Sequence, residues 1–151
     1  MDKWDRILKA ENVLLDVQAK SSVAAIRELA GLLTDDDAIQ NHKQFVSDVI
    51  RREQVSTTGI GHGVAVPHAH EDFIQRQILA LGISKEGVDF GSMDGNPVHI
   101  IALLATPKKH HKQHMELLAG LSRLLQHDSV RESLIEAVDG QSVVEVFTSA
   151  K

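Results

Sequence analysis

Cysteine is absent from the chain, and aromatic residues are scarce. Its 151 residues include no cysteine, no tyrosine, one tryptophan and four phenylalanines. Without cysteine the chain offers no disulfide, no thiolate metal site and no thiol nucleophile, and a reducing compartment is favoured. Because aromatic residues make up only 3% of the chain, the core has to be built mainly from leucine, isoleucine, valine and alanine.

Long apolar runs and an excess of positive charge are also missing. No apolar stretch approaches the roughly 20 residues that a membrane span requires. The N-terminal segment MDKWDRILKAENVLLD is charged throughout, so it lacks the apolar region of a signal peptide. The formal net charge of -5, with no basic stripe to offset it, argues against a nucleic-acid partner. We therefore expect a cytoplasmic protein that is not itself embedded in a membrane.

The residues that are present are typical of one globular domain. A length of 151 residues corresponds most simply to a single domain, 1–151, that buries roughly two thirds of the surface of its unfolded chain. Hydrophobic residues at 42% and charged residues at 25% fit an apolar core beneath a solvated surface.

Apolar runs and helical periodicities alternate along the chain. The predicted strands cover residues 12–16, 64–66, 78–83, 88–90 and 98–105. The last of these, VHIIALLA, is apolar enough for a strand buried on both faces. Apolar residues at helical spacing predict helices over residues 23–33, 45–53, 110–125, 130–138 and 142–147. Alternating strands and helices predict an α/β fold.

One segment, TTGIGHGVAVPHAH at residues 57–70, concentrates glycines and histidines. A neutral imidazole is a good nucleophile, so His68 could carry a phosphoryl group on a ring nitrogen. The backbone amides of Gly59, Gly61 and Gly63 could surround the phosphoryl oxygens without side-chain obstruction. The alternative is a glycine loop that only turns the chain, and glycine spacing alone favours that simpler interpretation.

A phosphoryl site would also need a cation or a second imidazole beside the first histidine. Three residues are candidates for this role: Arg51, Arg52 and His114.

A metal site is a second interpretation of the histidines. His68 and His70 would point to the same side of a strand, and His110 and His114 are one helical turn apart. No acidic residue stands at a familiar ligand spacing, however, and an H-x-H pair by itself is a weak signal. We therefore expect no resident metal.

From Arg52 to His68 the sequence follows the pattern R-E-x-V-S-T-T-G-I-G-H-G-V-A-V-P-H. This stretch resembles the motif of the EIIA proteins of the fructose–mannitol class (type 2) of the bacterial phosphoenolpyruvate-dependent sugar phosphotransferase system, a class that includes a nitrogen-regulatory branch. The similarity extends over NVLLDVQAKSSVAAIRELAGLL before the motif, and over DGNPVHIIALLATP and HMELLAGLSRLL after it. The resemblance implies a single α/β domain with a mixed, mostly parallel sheet and helices on both faces.

The resemblance also implies roles for individual residues. His68 resembles the histidine that takes a phosphoryl group on Nε2 from HPr, or from a nitrogen-branch HPr-like protein, and passes it to an EIIB-type protein or a regulatory target. His114 resembles the second active-site histidine, and Arg52 matches the arginine that approaches the phosphoryl group. Three glycines are expected to shape the pocket: Gly59, Gly61 and Gly63. Transfer between proteins needs no cofactor.

Two features depart from the family pattern. His70 stands where the family often has a basic residue, and His110 and His111 add imidazoles just before His114. The chain also shows no EIIB-like or membrane EIIC-like segment, so transport would require separate partner proteins. The alternative to a carrier in sugar uptake is therefore a regulatory binding module, whose histidine phosphorylation switches its affinity for a partner.

Overall fold

The computed structural model describes residues 3–149, which form six α-helices and one six-stranded sheet. The helices are α1 (Lys3–Ile7), α2 (Ser22–Ala30), α3 (His42–Val55), α4 (His111–Leu125), α5 (Asp128–Glu136) and α6 (Gly140–Ser149). The strands are β1 (Leu8–Leu14), β2 (Gly59–Gly61), β3 (Val64–Ala65), β4 (His68–Glu71), β5 (Ile78–Val88) and β6 (Val98–Pro107).

Strand β6 is the centre of the sheet. The strand order is β1-β5-β6-β3-β2, and β4 also pairs with β6. Three pairings are parallel (β1 with β5, β3 with β6, β4 with β6), and two are antiparallel (β2 with β3, β5 with β6). Because β3 and β4 pair successively along β6, with Val64 opposite Ile100 and His68 opposite Leu104, His68 is anchored to the buried central strand.

The core has two halves, one on each face of the sheet. Side chains of β6 alternate between them, with Ile101 and Leu103 on one face and Ile100 and Leu104 on the other. The first face is covered by α2 and α3, and the second by α1, α4, α5 and α6. Burying each large aliphatic side chain contributes about 1.5–3 kcal/mol. The predicted α/β class, the mixed sheet and the helices on both faces are confirmed.

The strand boundaries differ from those predicted at several places. The first strand is Leu8–Leu14 and not 12–16, because it pairs with β5 from Leu8 onward despite its polar residues. The predicted strands 78–83 and 88–90 form the single strand β5, which re-pairs with β6 at Val88 after a register shift. Strands β2 and β4 were not predicted, since their short segments are rich in glycine and histidine.

The helices follow the predictions more closely. The first long helix begins after Ser21, whose hydroxyl accepts a hydrogen bond from the Ala24 amide at 3.3 Å. Its last predicted turn is instead a 3-10 turn, Gly31–Leu33. Helix α3 is longer than expected, and the short α1 was not predicted. Within residues 3–149, no helix combines the length and apolarity that crossing a membrane requires.

Candidate functional site

His68 begins β4, directly after Pro67, and its ring is held by the backbone. Its Nδ1 lies 2.9 Å from the carbonyl oxygen of Val66. Because a carbonyl oxygen can only accept, Nδ1 carries the proton and donates it. The neutral ring therefore keeps its lone pair on Nε2, the nitrogen that could attack an electrophile.

The surroundings of His68 favour the neutral ring. Burial lowers the pKa of His68 below its ordinary value. The hydrogen bond to Val66 acts in the opposite direction, and the positive charge of Arg52 lowers the pKa further. His68 is thus neutral at pH 7, with a free lone pair on Nε2, as nucleophilic chemistry at an imidazole requires.

His114 on α4 lies beside His68. The two ring centroids are 5.3 Å apart, and His114 is only 4% exposed. Its Nδ1 lies 2.8 Å from Oγ1 of Thr106. Burial, followed by the neighbouring His68, His70 and His111, lowers the pKa of His114 to about 4. His114 is therefore also neutral at pH 7.

A stack of imidazole rings packs against His114. The rings of His70 and His114 are nearly parallel, with centroids 4.6 Å apart, and the ring centroids of His70 and His111 are 5.6 Å apart. Nε2 of His70 donates to the carbonyl of Lys108 at 2.9 Å. The ring of His111 joins this stack although the residue is exposed.

The stacked arrangement does not suit a metal. Ring nitrogens offer their lone pairs in the plane of the ring, so two parallel stacked rings do not aim at a common point. Throughout residues 3–149, no group of three or more histidine, aspartate or glutamate side chains is arranged to hold a metal ion. The four-histidine metal site considered from the sequence is not assembled.

An open cavity of about 480 Å³ lies in front of the two histidines. Its lining includes His68, His70 and His114 from the sheet and α4, together with Asp48 and Arg52 from α3. Arg52 lies in the last turn of α3, where Nη1 donates to the carbonyl of Ser56 at 2.8 Å. The cavity therefore combines one free nucleophilic nitrogen, a second imidazole and a guanidinium.

Of the two arginines considered from the sequence, only Arg52 belongs to this cavity. Arg51 forms an ion pair with Asp48 at 2.6 Å and lines a different groove, between α2 and α3, together with Arg27.

The chain from residue 6 to residue 150 matches the family model described as the phosphoenolpyruvate-dependent sugar phosphotransferase system, EIIA 2. The chain belongs to this EIIA family.

Relatives and solved structures agree with this membership. The fructose-specific EIIA component of Haloferax volcanii is 32% identical over 141 residues, which cover 93% of this chain and 92% of the relative. The fructose-specific EIIABC component of Bacillus subtilis is 30% identical over 145 residues, but this chain spans only 23% of its length. The crystal structure of the nitrogen regulatory protein IIA-Ntr from Neisseria meningitidis superposes with a TM-score of 0.87 at 28% identity, covering 93% of this chain and 96% of that one.

The three glycines of the EIIA motif lie away from the cavity that contains His68. Among the described residues that line this cavity, none is Gly59, Gly61 or Gly63. Gly61 and Gly63 have φ angles of 99° and 75°, which the turn from β2 to β3 requires and which only glycine adopts freely. A role of these glycines in shaping the pocket stays a prediction. The structure explains Gly61 and Gly63 by the backbone conformation of the turn from β2 to β3.

Sequence reasoning missed two buried polar residues of this EIIA site. The carboxylate of Glu53 accepts hydrogen bonds from the amide and the hydroxyl of Thr58, at 2.7 and 2.6 Å. These bonds join the end of α3, with Arg52, to the segment before β2. The signal was available, since Glu53 is the E of the R-E pair. The second missed residue, Thr106, had no comparable signal, because only strand pairing places it opposite His70.

Proposed function

We propose that this chain is a histidine phosphocarrier that accepts a phosphoryl group on Nε2 of His68 and passes it to a partner protein. The observation that carries the proposal is the hydrogen bond from Nδ1 of His68 to the Val66 carbonyl. This bond leaves Nε2 as the only nucleophilic nitrogen of the ring, and His68 lines an open cavity with His114 and Arg52.

The transfer step balances without an added cofactor. The Nε2 lone pair of His68 attacks the phosphorus of a phosphohistidine donor while the donor's phosphorus–nitrogen bond breaks, and that electron pair returns to the donor ring. The phosphorylated His68 ring keeps its Nδ1 proton, which remains hydrogen bonded to Val66. A ring held in this protonated form is a good leaving group, so the phosphoryl group stays transferable to the next acceptor.

His114 and Arg52 would stabilise the negative charge of the phosphoryl group during its transfer. Phosphoryl transfer depends mainly on positioning and on stabilising charge at the equatorial oxygens. Removing one oriented donor of this kind typically costs about 10²–10³ in rate. The cationic Arg52 would attract the phosphoryl group, and the buried imidazole of His114 would offer one directed hydrogen bond.

The donor and acceptor are proposed from the family and from the site. HPr, or a nitrogen-branch HPr-like protein, would supply the phosphoryl group, and an EIIB-type protein would receive it. In the EIIABC component of Bacillus subtilis, the A, B and C parts share one chain, which supports an EIIB partner here. The apolar side chains of Met115 and Leu118 line the same cavity as His68, and Met115 is 52% exposed, so the rim offers a contact surface to such proteins.

A phosphorylation assay tests the nucleophile. With phosphoenolpyruvate, Enzyme I and HPr, the chain should acquire one phosphate that is labile to acid and stable to alkali, as a phosphoramidate is. His68→Ala should acquire none, whereas His127→Ala, an exposed control outside the cavity, should be phosphorylated like the wild type. Stoichiometric phosphorylation of the His68→Ala variant would refute the assignment.

A regulatory module is the second candidate, because the match to the nitrogen regulatory protein IIA-Ntr covers nearly the full length of both chains. A carrier and a switch differ in the fate of the phosphate. When the phosphorylated chain is mixed with a fructose-class EIIB protein, a carrier loses its phosphate to EIIB within the mixing time. A regulatory switch retains it, and binds its target in only one of its two phosphorylation states.

A further inference from the structure

Two side chains, the half-buried Gln77 and the buried Thr106, form a hydrogen-bonded row that ends at His114. The side-chain amide nitrogen of Gln77 lies 3.3 Å from Oγ1 of Thr106, and Oγ1 of Thr106 lies 2.8 Å from Nδ1 of His114. Thr106 is fully buried, at 0% exposure.

Strand pairing brings the members of this row together. Ile78 of β5 lies opposite Ala105 of β6, so Gln77 and Thr106 face each other at the next position of the antiparallel pair. Thr106 also lies opposite His70 in the pairing of β4 with β6. The row therefore rests on the rigid sheet, whereas His114 reaches it from α4.

Donor and acceptor counting gives the row a direction. The amide nitrogen of Gln77 can only donate, so the oxygen of Thr106 accepts from it. Within residues 3–149, the only other hydrogen-bond partner of Oγ1 of Thr106 is Nδ1 of His114. Nδ1 is then the one acceptor within reach of the Thr106 hydroxyl proton among the described residues, and when Nδ1 accepts it the proton of the neutral ring is on Nε2.

We propose that Gln77 and Thr106 are positioning residues that hold His114 as the tautomer protonated on Nε2, so that His114 donates a hydrogen bond to the phosphoryl group on His68. The inference rests on the proposed function for its consequence, but the tautomer itself belongs to the unphosphorylated protein. The opposite tautomer would offer a lone pair to the phosphoryl oxygens, which repel it.

The packing around His114 makes the choice between its two tautomers important. His70 covers one face of the ring and His68 lies beside it, and burial lowers the pKa of His114 to about 4. A neutral ring cannot present a proton at both nitrogens. Its ability to donate toward His68 therefore depends on whether the Thr106 hydroxyl donates to Nδ1 or accepts from it.

Nitrogen-15 NMR of the histidine rings tests the tautomer directly. In the wild-type protein at pH 8, two-bond proton–nitrogen correlations should show a protonated, pyrrole-type Nε2 and an unprotonated, pyridine-type Nδ1 for His114. A protonated Nδ1 with an unprotonated Nε2 would overturn the proposal. The spectrum needs no phosphoryl donor, so a wild-type protein that takes up no phosphate would refute the proposed function and leave this result intact.

A nearly isosteric substitution of Gln77 should reverse the direction of the hydrogen bonds along the row. In Gln77→Glu the carboxylate can only accept, so the Thr106 hydroxyl turns toward it, and the Thr106 oxygen then accepts from Nδ1 of His114. Nδ1 should become protonated in the spectrum, and phosphorylation of His68 at pH 8 should slow by about 100-fold, the effect of losing one oriented donor. An unchanged His114 spectrum in this variant would refute the proposal.

Substitutions of Thr106 separate the hydroxyl from the packing. Thr106→Val should let the two ring nitrogens of His114 exchange the proton, which moves their nitrogen shifts toward each other, and should slow phosphorylation at least about 10-fold. Thr106→Ser should restore both the His114 nitrogen shifts and the phosphorylation rate. Ser84→Ala, which removes another buried hydroxyl of the sheet, should leave the His114 spectrum and the rate unchanged. A structural role alone would reduce stability in Thr106→Val without moving the His114 nitrogen shifts, and this outcome would overturn the proposal.

Discussion

At the scale of single residues, two backbone or hydroxyl contacts decide which ring nitrogens of the site are available. Val66 occupies Nδ1 of His68, and Thr106 occupies Nδ1 of His114. In the proposed mechanism both rings turn a Nε2 toward the phosphoryl group, His68 as nucleophile and His114 as donor. The proposed source of positive charge is Arg52, whose guanidinium is anchored on a backbone carbonyl at the end of α3.

The charge of Arg52 should matter for transfer and not for folding. Because Arg52 is exposed, Arg52→Gln should change the free energy of unfolding by no more than about 0.5 kcal/mol. Loss of the positive charge beside His68 should slow phosphorylation by at least about 10-fold. Rates of phosphate uptake from HPr and urea unfolding curves measure the two effects.

Arg51 provides a matched control on the same helix. It is exposed like Arg52 but pairs with Asp48 and lines another groove. The Arg51→Gln variant should therefore be phosphorylated by HPr at nearly the wild-type rate. If both variants slow equally, the effect comes from the net charge of α3, and Arg52 has no special place at the site.

At the scale of the elements, the strand most visible in the sequence is also the one that organises the site. The apolar run IIALLA of β6 predicted burial on both faces, and the structure places β6 at the centre of the sheet. Strands β2 and β4 could not be predicted from apolar pattern, because tertiary pairing with β3 and β6 and not local composition makes them strands.

The site shows the same division between local pattern and long-range pairing. The motif around His68 and the helix carrying His114 were recognisable from the sequence. The row from Gln77 to Thr106 was not, because these uncharged residues are 29 positions apart and meet only through the register of β5 and β6.

The junction between α3 and β2 should be stabilised by Glu53. Its buried carboxylate accepts two hydrogen bonds from Thr58. In Glu53→Gln one oxygen is replaced by an amide group that cannot accept, so one Thr58 donor loses its partner. Since hydrogen bonds to charged groups contribute about 1.5–3 kcal/mol, the free energy of unfolding should fall by a similar amount in urea titrations.

Glu132 is a suitable comparison for this substitution. It is exposed on α5, so Glu132→Gln should change the free energy of unfolding by no more than about 0.5 kcal/mol. An equally small change for Glu53→Gln would show that Thr58 finds other acceptors, and that the carboxylate does not hold the junction.

At the scale of the whole molecule, the buried His114 and the half-buried His68 couple folding to pH. The pKa of His114 falls from 6.5 to about 4 on folding, chiefly through burial, and the pKa of His68 is also lowered. Between these values the unfolded chain binds more protons than the folded one, so the free energy of unfolding rises with pH. This contribution is fully present above pH 6.5 and is lost as pH falls toward 4.

Urea unfolding of the wild type between pH 4 and 7.5 should therefore show stability that declines on acidification, with a marked slope below pH 6.5. His114→Gln removes the group with the largest resolved shift among the histidines and should flatten that slope, whereas His127→Gln, on the surface, should retain it. The lowered carboxyl pKa values of Glu86, Asp94 and Asp139 act at lower pH and leave most of this window to the histidines. A slope unchanged by His114→Gln would mean that the ring of His114 becomes protonated without loss of the fold, and that its burial does not keep it neutral at the site.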